Sequence, residues 1–325
     1  MKRPSRLGAI IGLAVLPLLL VSCADDSTDD AAADGTPTAD EAAESSFPVT
    51  VDNGEQSVEI PAEPEKIVSL SPSTTEMLFA IGAGDQVVAA DEYSNYPEEA
   101  PTTDLSGYQP NVEAIIGYDP DLVIAESDPG QLVSSLDQVG IPTLVHPSAV
   151  TLDDTYTQIE RLGVATGHVG EAAELVAQMQ ADIDEIAAEI SAVAPADAEP
   201  ITYFHELDPN LYTVTSSTFI GELYSMAGMT SIADEAPEAS GDYPQITPEF
   251  VVKADPEVIF YVDGVDAGVT PEDIAGRPGW DQLSAVRDDR IIEIDQDIAS
   301  RWGPRVVDFL RVLADVRAEL APASS

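Results

Sequence analysis

The sequence predicts an α/β protein with two Rossmann-like lobes, joined by a single long rigid helix and separated by a cleft. First, short β-branched runs alternate with helical stretches from residue 47 onward. Second, the stretch "NVEAIIGYDPDLVIAE" at Asn111 returns as "TPEFVVKADPEVIFYV" at Thr247, 136 residues later. Third, a helical run without strand character separates the two copies. A repeated unit on either side of a helix indicates two related lobes.

The N-terminus has the features of an export signal. Three basic residues precede an apolar run over residues 7–21, which has the charge order and length of a secretory signal. The run ends in Leu-Val-Ser-Cys at Cys23, which resembles a bacterial lipobox. We therefore predict a lipoprotein signal peptide over residues 1–22 and lipidation of Cys23. A plain signal peptide followed by an incidental cysteine is the alternative. Cys23 is the only cysteine, so no disulfide can form within the chain.

Residues 23–46 form a predicted disordered acidic tether. After Cys23 the segment "ADDSTDDAAADGTPTADEAAESS" holds eight acidic residues and no basic ones. Such a composition cannot bury enough apolar surface to offset the entropy of ordering. The whole chain carries 13 Lys and Arg against 60 Asp and Glu, a formal charge of −47. This charge repels nucleic acid, which we exclude as a partner.

The N-terminal lobe is predicted over residues 47–151 and the C-terminal lobe over residues 195–325. In "KIVSLSPSTTEMLFAIGAG", a strand over Ile67–Leu70 leads into a Ser/Thr-rich cap and a helix that stops at Gly82. In the second lobe "LYTVTSSTFIGELYSMAGM" has the same order of features, and Gly82 matches Gly228 at an offset of 146 residues. Two independent motifs thus recur in the same order.

The helical linker is predicted over residues 152–194. Within it, "EAAELVAQMQADIDEIAAEI" places apolar residues at helical spacing: Ala173, Leu175, Val176, Met179, Ile183, Ile186 and Ile190. A helix of about 22 residues spans roughly 33 Å. Such a linker would act as a stiff hinge that permits only a small closure of the lobes.

These motifs carry a resemblance to a known family. The pairs "SLSPSTTE" with "EYSNYP", and "YPQITPE" with "ADPEVI", resemble the helical-backbone binding proteins of ABC importers for cobalamin, ferric siderophores and haem. The resemblance covers residues 47–320 and is greatest to the cobalamin-binding branch. It implies an extracytoplasmic, lipid-anchored monomer that delivers a small-molecule chelate to a dimeric ABC permease with ATPase subunits. It implies no cofactor, because the chelate is the cargo.

The resemblance assigns a role to two glutamates in the repeated unit. In the family, one glutamate at the outer tip of each lobe docks on arginines of the permease, and these positions fall on Glu113 and Glu249. The residues alone permit a simpler interpretation. Asn111 and Thr247 are good helix N-caps, and an acid in the first turn is favoured by the helix dipole.

The resemblance also implies a set of ligand-binding residues in the cleft. Tyr108 and Tyr243 stand where the cobalamin binder has tryptophans, and Glu126 replaces another tryptophan. As alternatives, the tyrosines are ordinary packing residues, and Arg301 is a salt bridge between the lobes. The implied set is Tyr93, Tyr108, His205, Glu206, Tyr212, Tyr243, Asp297, Arg301 and Trp302.

Three other functions were weighed. An enzyme is disfavoured because the chain has no G-x-S-x-G, H-E-x-x-H or P-loop motif, so we assign no catalytic residue. A metal-ion binder is disfavoured because only His146, His168 and His205 are present, with His168 expected on the surface at a helix break, so we assign no metal ligand. A structural or adhesive lipoprotein is the third alternative.

Within the family, the aromatic residues favour a cobalamin-like corrinoid, with a ferric siderophore or haem as the alternative.

Overall fold

Two parallel β-sheets and a pair of helices form the framework of the chain in a computed structural model. The structure describes residues 46–52, 57–194, 198–236 and 241–321, which fall within one compact unit. The predicted signal peptide, Cys23 and nearly all of the predicted tether lie outside these residues. Within the described ranges, no helix combines the length and apolarity needed to cross a bilayer.

The first lobe is built on a five-stranded parallel sheet with the order β5-β4-β3-β6-β7. The predicted strand at Ile67–Leu70 is confirmed as its central strand, and the helix after it ends just before Gly82, whose φ is 85°. An antiparallel ribbon of two strands precedes this sheet. The elements are β1 (Val49–Asp52), β2 (Ser57–Ile60), β3 (Ile67–Leu70), α1 (Pro72–Ala80), β4 (Val87–Asp91), β5 (Thr102–Leu105), α2 (Val112–Ile116), β6 (Leu122–Ala125), α3 (Leu132–Asp137) and β7 (Thr143–Val145).

Two helices follow the first lobe. The predicted long helix is confirmed as α5 (Val169–Val193), and a second helix, α4 (Leu152–Thr166), precedes it. The two are separated at Gly167, which ends α4 with a φ of 86°. His168 follows at this break and is partly exposed. The apolar face of α5 packs against the C-terminal helix α12 (Val306–Glu319) of the second lobe, so the linker is part of a continuous core.

The second lobe contains a four-stranded parallel sheet with the order β11-β10-β8-β9. Strands β8 and β10 are buried on both faces, as expected where helices cover a parallel sheet. The elements are β8 (Ile201–Glu206), α6 (Phe219–Met226), β9 (Met229–Ser231), α7 (Pro248–Ala254), β10 (Val258–Tyr261), α8 (Gly264–Ala267), α9 (Pro271–Ala275), α10 (Ser284–Arg287), β11 (Ile291–Glu293), α11 (Gln296–Ser300) and α12 (Val306–Glu319).

The repeated sequence unit folds the same way in both lobes. The side chain of Asn111 accepts a hydrogen bond from the N–H of Ala114, and that of Thr247 accepts one from Phe250, each at 3.2 Å. Each capped helix, α2 or α7, is followed by an aspartate with positive φ, 54° at Asp119 and 49° at Asp255. A buried strand then begins, β6 or β10, beside the first strand of the parallel sheet in its lobe, β3 or β8.

Candidate ligand-binding site

A cavity of about 600 Å³ lies at the carboxyl ends of the strands of the first sheet. The loops that follow β3, β4, β5 and β6 form one wall, and residues of α8 and α11 from the second lobe form the other. Ligands of open parallel sheets bind at this edge, because the loops that leave the strands there are free to vary. The cavity is therefore the candidate ligand-binding site.

Five of the predicted ligand-binding residues line this cavity: Tyr93, Tyr108, Asp297, Arg301 and Trp302. Tyr93 and Tyr108 meet edge to face, with ring centroids 6.2 Å apart and an interplanar angle of 78°. Tyr108 is 76% exposed and Tyr93 is 54% exposed, so much of both rings is free to contact a ligand. The indole N–H of Trp302 donates to the side-chain oxygen of Gln158 at 3.1 Å, which fixes the orientation of the ring.

The other four predicted residues do not line the cavity. His205 is buried beside Tyr224, whose hydroxyl lies 2.8 Å from His205 Nδ1, and burial lowers the His205 pKa to about 3. Glu206 is buried and accepts two hydrogen bonds from the guanidinium of Arg277. Tyr212 and Tyr243 are about half exposed elsewhere on the second lobe. The two β8 residues are turned into the protein because both faces of this strand are covered.

Several lining residues were not predicted. Asp91 ends β4 and is buried, accepting a hydrogen bond from Ser94 Oγ at 2.7 Å, and burial raises its pKa. Gly107 lies so close to β3 that an added Cβ would be 2.4 Å from the carbonyl oxygen of Leu70. This close approach places Tyr108 beside the sheet edge. The position of these residues at or just after strand ends was the sequence signal that could have identified them. Further unpredicted lining residues include Glu92, Asn95, Val265 and Asp295, and Glu126, whose position the resemblance puts in the cleft, also lines the cavity.

Arg301 lines the cavity and also joins the two lobes. Its Nη1 donates to Glu76 of α1 at 2.8 Å, and its Nη2 lies 2.7 Å from a carboxylate oxygen of Asp297. The same Nη2 donates to Asn95 Oδ1 at 2.8 Å and to the carbonyl oxygen of Tyr93 at 3.0 Å. The interlobe salt bridge considered for Arg301 is therefore present, and the guanidinium is held by protein acceptors.

Arg305 completes this interlobe cluster. Its Nε donates to Glu76 at 2.9 Å, so two arginines of the second lobe share one buried carboxylate of the first. The side chain of Glu76 is only 1% exposed. The guanidinium of Arg305 also lies 4.1 Å from the ring centre of Tyr96. These contacts hold α11 and the start of α12 against the first lobe.

A second charged cluster lies at the carboxyl ends of β8 and β10. Arg277 pairs with Glu206 and lies 4.6 Å from the ring centre of Trp280. Asp263 is buried nearby, and neither oxygen of its carboxylate has a hydrogen-bond partner among the described residues. Burial raises the pKa of Asp263, as do the carboxylates of Asp208 and Glu293, although its own backbone N–H and Arg277 oppose this.

We expect Asp263→Asn to raise the melting temperature at pH 7. A carboxyl whose folded pKa lies above its unfolded value stabilises the fold below the unfolded pKa, about 3.9 for aspartate. That contribution is lost as the pH rises through the folded pKa. The gain from Asp263→Asn should therefore shrink as the pH is lowered toward 4. Thermal melts from pH 4 to pH 8 measure it.

The control for this prediction is Asp104→Asn, which removes one exposed negative charge from the same acidic chain. An equal rise in melting temperature for both variants would assign the effect to net charge. No change for Asp263→Asn would mean that Arg277 already compensates the buried carboxylate.

No group of three or more His, Cys, Asp or Glu residues is arranged to hold a metal ion in the part of the chain that the structure describes. His146 is fully buried after β7, and burial lowers its pKa to about 3. His168 Nδ1 lies 3.0 Å from the carbonyl oxygen of Thr166 at the helix break. The three histidines thus occupy separate positions.

Comparison with known proteins identifies the relatives of this chain. A family model described as "Periplasmic binding protein" matches residues 67–298. An uncharacterized ABC transporter substrate-binding lipoprotein, YvrC of Bacillus subtilis, is 33% identical over 83% of this chain and 85% of its own length. A cobalamin-binding protein of Halobacterium salinarum is 36% identical over 68% of this chain and 60% of its own length.

The fold is shared with solved structures of the same kind. The periplasmic heme-binding protein RhuT from Roseiflexus sp. RS-1 superposes with a TM-score of 0.71, at 24% identity, over 79% of this chain and 99% of its own. The architecture of two α/β lobes with a long connecting helix is thereby confirmed. The chain belongs to the periplasmic binding protein family, the extracytoplasmic and non-enzymatic substrate-binding proteins of ABC transport.

Proposed function

We propose that this protein captures a cobalamin-like corrinoid in the cavity between its lobes and delivers it to an ABC permease. The observation that carries the proposal is the exposed pair of Tyr93 and Tyr108 at the wall of a cavity of about 600 Å³. Aromatic faces offer large apolar contact to a flat macrocycle, with phenol groups for its polar rim. The cobalamin-binding relative in Halobacterium salinarum supports this choice.

A ferric siderophore or haem is the second candidate. Tyr93 and Tyr108 line the cavity, and a tyrosine can ligate ferric haem iron. Titration of the purified protein with cyanocobalamin, haemin and a ferric siderophore, followed by visible absorption, decides between them. If haemin or the ferric siderophore binds tightly and cyanocobalamin does not, the compound that binds replaces the corrinoid as the proposed ligand.

We expect Tyr108→Ala to weaken corrinoid binding at least tenfold, because one buried aromatic contact can contribute about 2 kcal/mol or more. The fold should be little affected, since the ring is 76% exposed without ligand. Isothermal calorimetry and thermal melts measure both quantities.

Tyr243→Ala is the matched control, because Tyr243 is similarly exposed but lies outside the cavity lining. If Tyr243→Ala weakens corrinoid binding tenfold, Tyr243 contacts the ligand in a more closed, ligand-bound form of the protein. An unchanged dissociation constant for Tyr108→Ala would place the ligand elsewhere.

The proposed partner is a dimeric ABC permease with its ATPase subunits. Glu113 and Glu249 are both exposed, in the first turns of α2 and α7. They occupy equivalent positions of the two lobes, which suits a partner with twofold symmetry. We propose that these two carboxylates pair with arginines of the permease and that the protein acts as a monomer.

We also propose that Cys23 carries a lipid that anchors the protein to the outer face of the cell membrane. Cys23→Ser should release the protein into the soluble extracytoplasmic fraction, because the variant lacks the acyl chains on which stable anchoring depends. Membrane fractionation with immunodetection measures the distribution. Full retention of Cys23→Ser in the membrane fraction would contradict the lipid anchor.

A further inference from the structure

Carboxylates dominate the charged groups at the wall of the cavity. Five acidic side chains line it, contributed by both lobes: Asp91, Glu92, Glu126, Asp295 and Asp297. Among the described residues of the lining, Arg301 is the only cationic one. The excess of negative charge is therefore local to the cavity and not only a property of the chain as a whole.

The charge of Arg301 is not available to a ligand. The side chain of Arg301 is 7% exposed, and its guanidinium contacts the carboxylates of Glu76 and Asp297. Its remaining bonds go to Asn95 and to the backbone of Tyr93. An anionic group in the cavity would have to displace one of these protein partners in order to pair with Arg301.

Three of the acids have carboxylate oxygens that are open to a ligand in the cavity. Glu92 is exposed. Glu126 accepts a hydrogen bond from Ser148 at 2.7 Å through Oε1 only. Asp295 caps α11 through Oδ1, accepting from the N–H of Ile298 at 3.0 Å, and is exposed, and its carboxylate also interacts electrostatically with Arg305. By contrast, Asp91 is buried, and Asp297 is bound to Arg301.

We propose that the cavity selects its ligand by charge, preferring chelates with a net positive charge, and that Glu92, Glu126 and Asp295 determine this preference. The inference rests on the proposed corrinoid function and narrows it to corrinoids that are cationic as bound. Carboxylates on opposite walls create a negative potential inside a low-dielectric cleft, which attracts a cation and repels an anion. A neutral corrinoid of the same shape binds through its apolar contacts alone.

The test compares two ligands that differ in one axial group. Aquacobalamin, in buffer acidic enough to keep its axial water protonated, carries one positive charge more than cyanocobalamin, with the same corrin ring and nucleotide. At low ionic strength we expect aquacobalamin to bind on the order of tenfold more tightly. The difference should shrink in 1 M salt, where the Debye length is about 3 Å. Visible absorption spectra confirm that the axial water is retained in the complex.

The variant that tests the residues is Glu92→Gln combined with Glu126→Gln and Asp295→Asn. These changes keep the shape and most hydrogen-bond acceptors, so they should bring the two dissociation constants close together. The control is Glu98→Gln with Glu99→Gln, which removes two exposed acids outside the cavity lining. The control should retain the full preference, and loss of the preference there would assign it to the overall charge of the chain and overturn the proposal.

The outcomes separate this inference from the proposed function. Equal binding of aquacobalamin and cyanocobalamin overturns the charge selection and leaves the corrinoid function standing. If neither corrinoid binds, the corrinoid function fails, and two ferric trihydroxamates decide the charge selection. These are ferrioxamine B, which carries a free ammonium group, and the neutral cyclic ferrioxamine E. Tighter binding of ferrioxamine B supports the charge selection, and equal binding or no binding of either overturns it.

Discussion

Replacing both Glu113 and Glu249 by alanine should abolish ligand uptake by cells and leave the ligand affinity of the isolated protein unchanged. Both side chains are exposed and lie outside the cavity lining, so the binding site keeps all its contacts. Loss of one partner from a desolvated interfacial charge pair costs about 2–5 kcal/mol. With two such pairs lost, the complex with the permease should not form. Uptake of labelled ligand and ATPase stimulation in proteoliposomes measure the loss.

Two controls separate docking from helix stability. Glu171→Ala removes a first-turn acid from α5, where no docking is proposed, and should leave uptake intact. Glu113→Asp with Glu249→Asp conserves the charge and should retain part of the uptake. If the double alanine variant takes up ligand at the wild-type rate, the two glutamates have no role in docking. They are then first-turn helix residues that are favoured only by the helix dipole.

Glu76→Ala should destabilise the protein by about 3–5 kcal/mol, because it leaves two arginine side chains without their shared carboxylate. Arg301 is 7% exposed and Arg305 is 16% exposed, so water compensates for this loss only in part. For a chain of this size the melting temperature should fall by roughly 10 °C. Chemical denaturation and thermal melts give the two quantities.

Glu189→Ala is the matched control for this prediction. Glu189 also pairs with an arginine, Arg311, at 2.7 Å, but the two side chains are 54% and 41% exposed. An exposed pair contributes about 0–1 kcal/mol, so Glu189→Ala should have little effect. A loss below 1 kcal/mol for Glu76→Ala would show that the arginines are rehydrated and that the lobes are held by apolar packing instead.

The repeated unit could be recognised from the sequence because its signals are local. Asn111 and Thr247 cap helices whose first backbone N–H groups would otherwise lack partners, and each cap lies three residues from its bonding partner. The break at Asp119 and Asp255 and the buried strand after it also follow from neighbouring residues. The helix α5 was found for the same reason, since its apolar residues recur every three or four positions.

The composition of the cavity depended on contacts that the sequence order does not reveal. His205 and Glu206 end β8, where cleft residues are expected, yet both are buried, because helices cover this strand on both faces. Arg301 pairs with Glu76, which lies 225 positions away in the sequence. This ion pair makes the guanidinium charge unavailable to the cavity. By itself the sequence determined the capped helices, the strands and the duplication, whose causes lie within a few residues. Only the tertiary structure decided which side chains line the cavity, because burial and ion pairing between the lobes arise when distant segments meet.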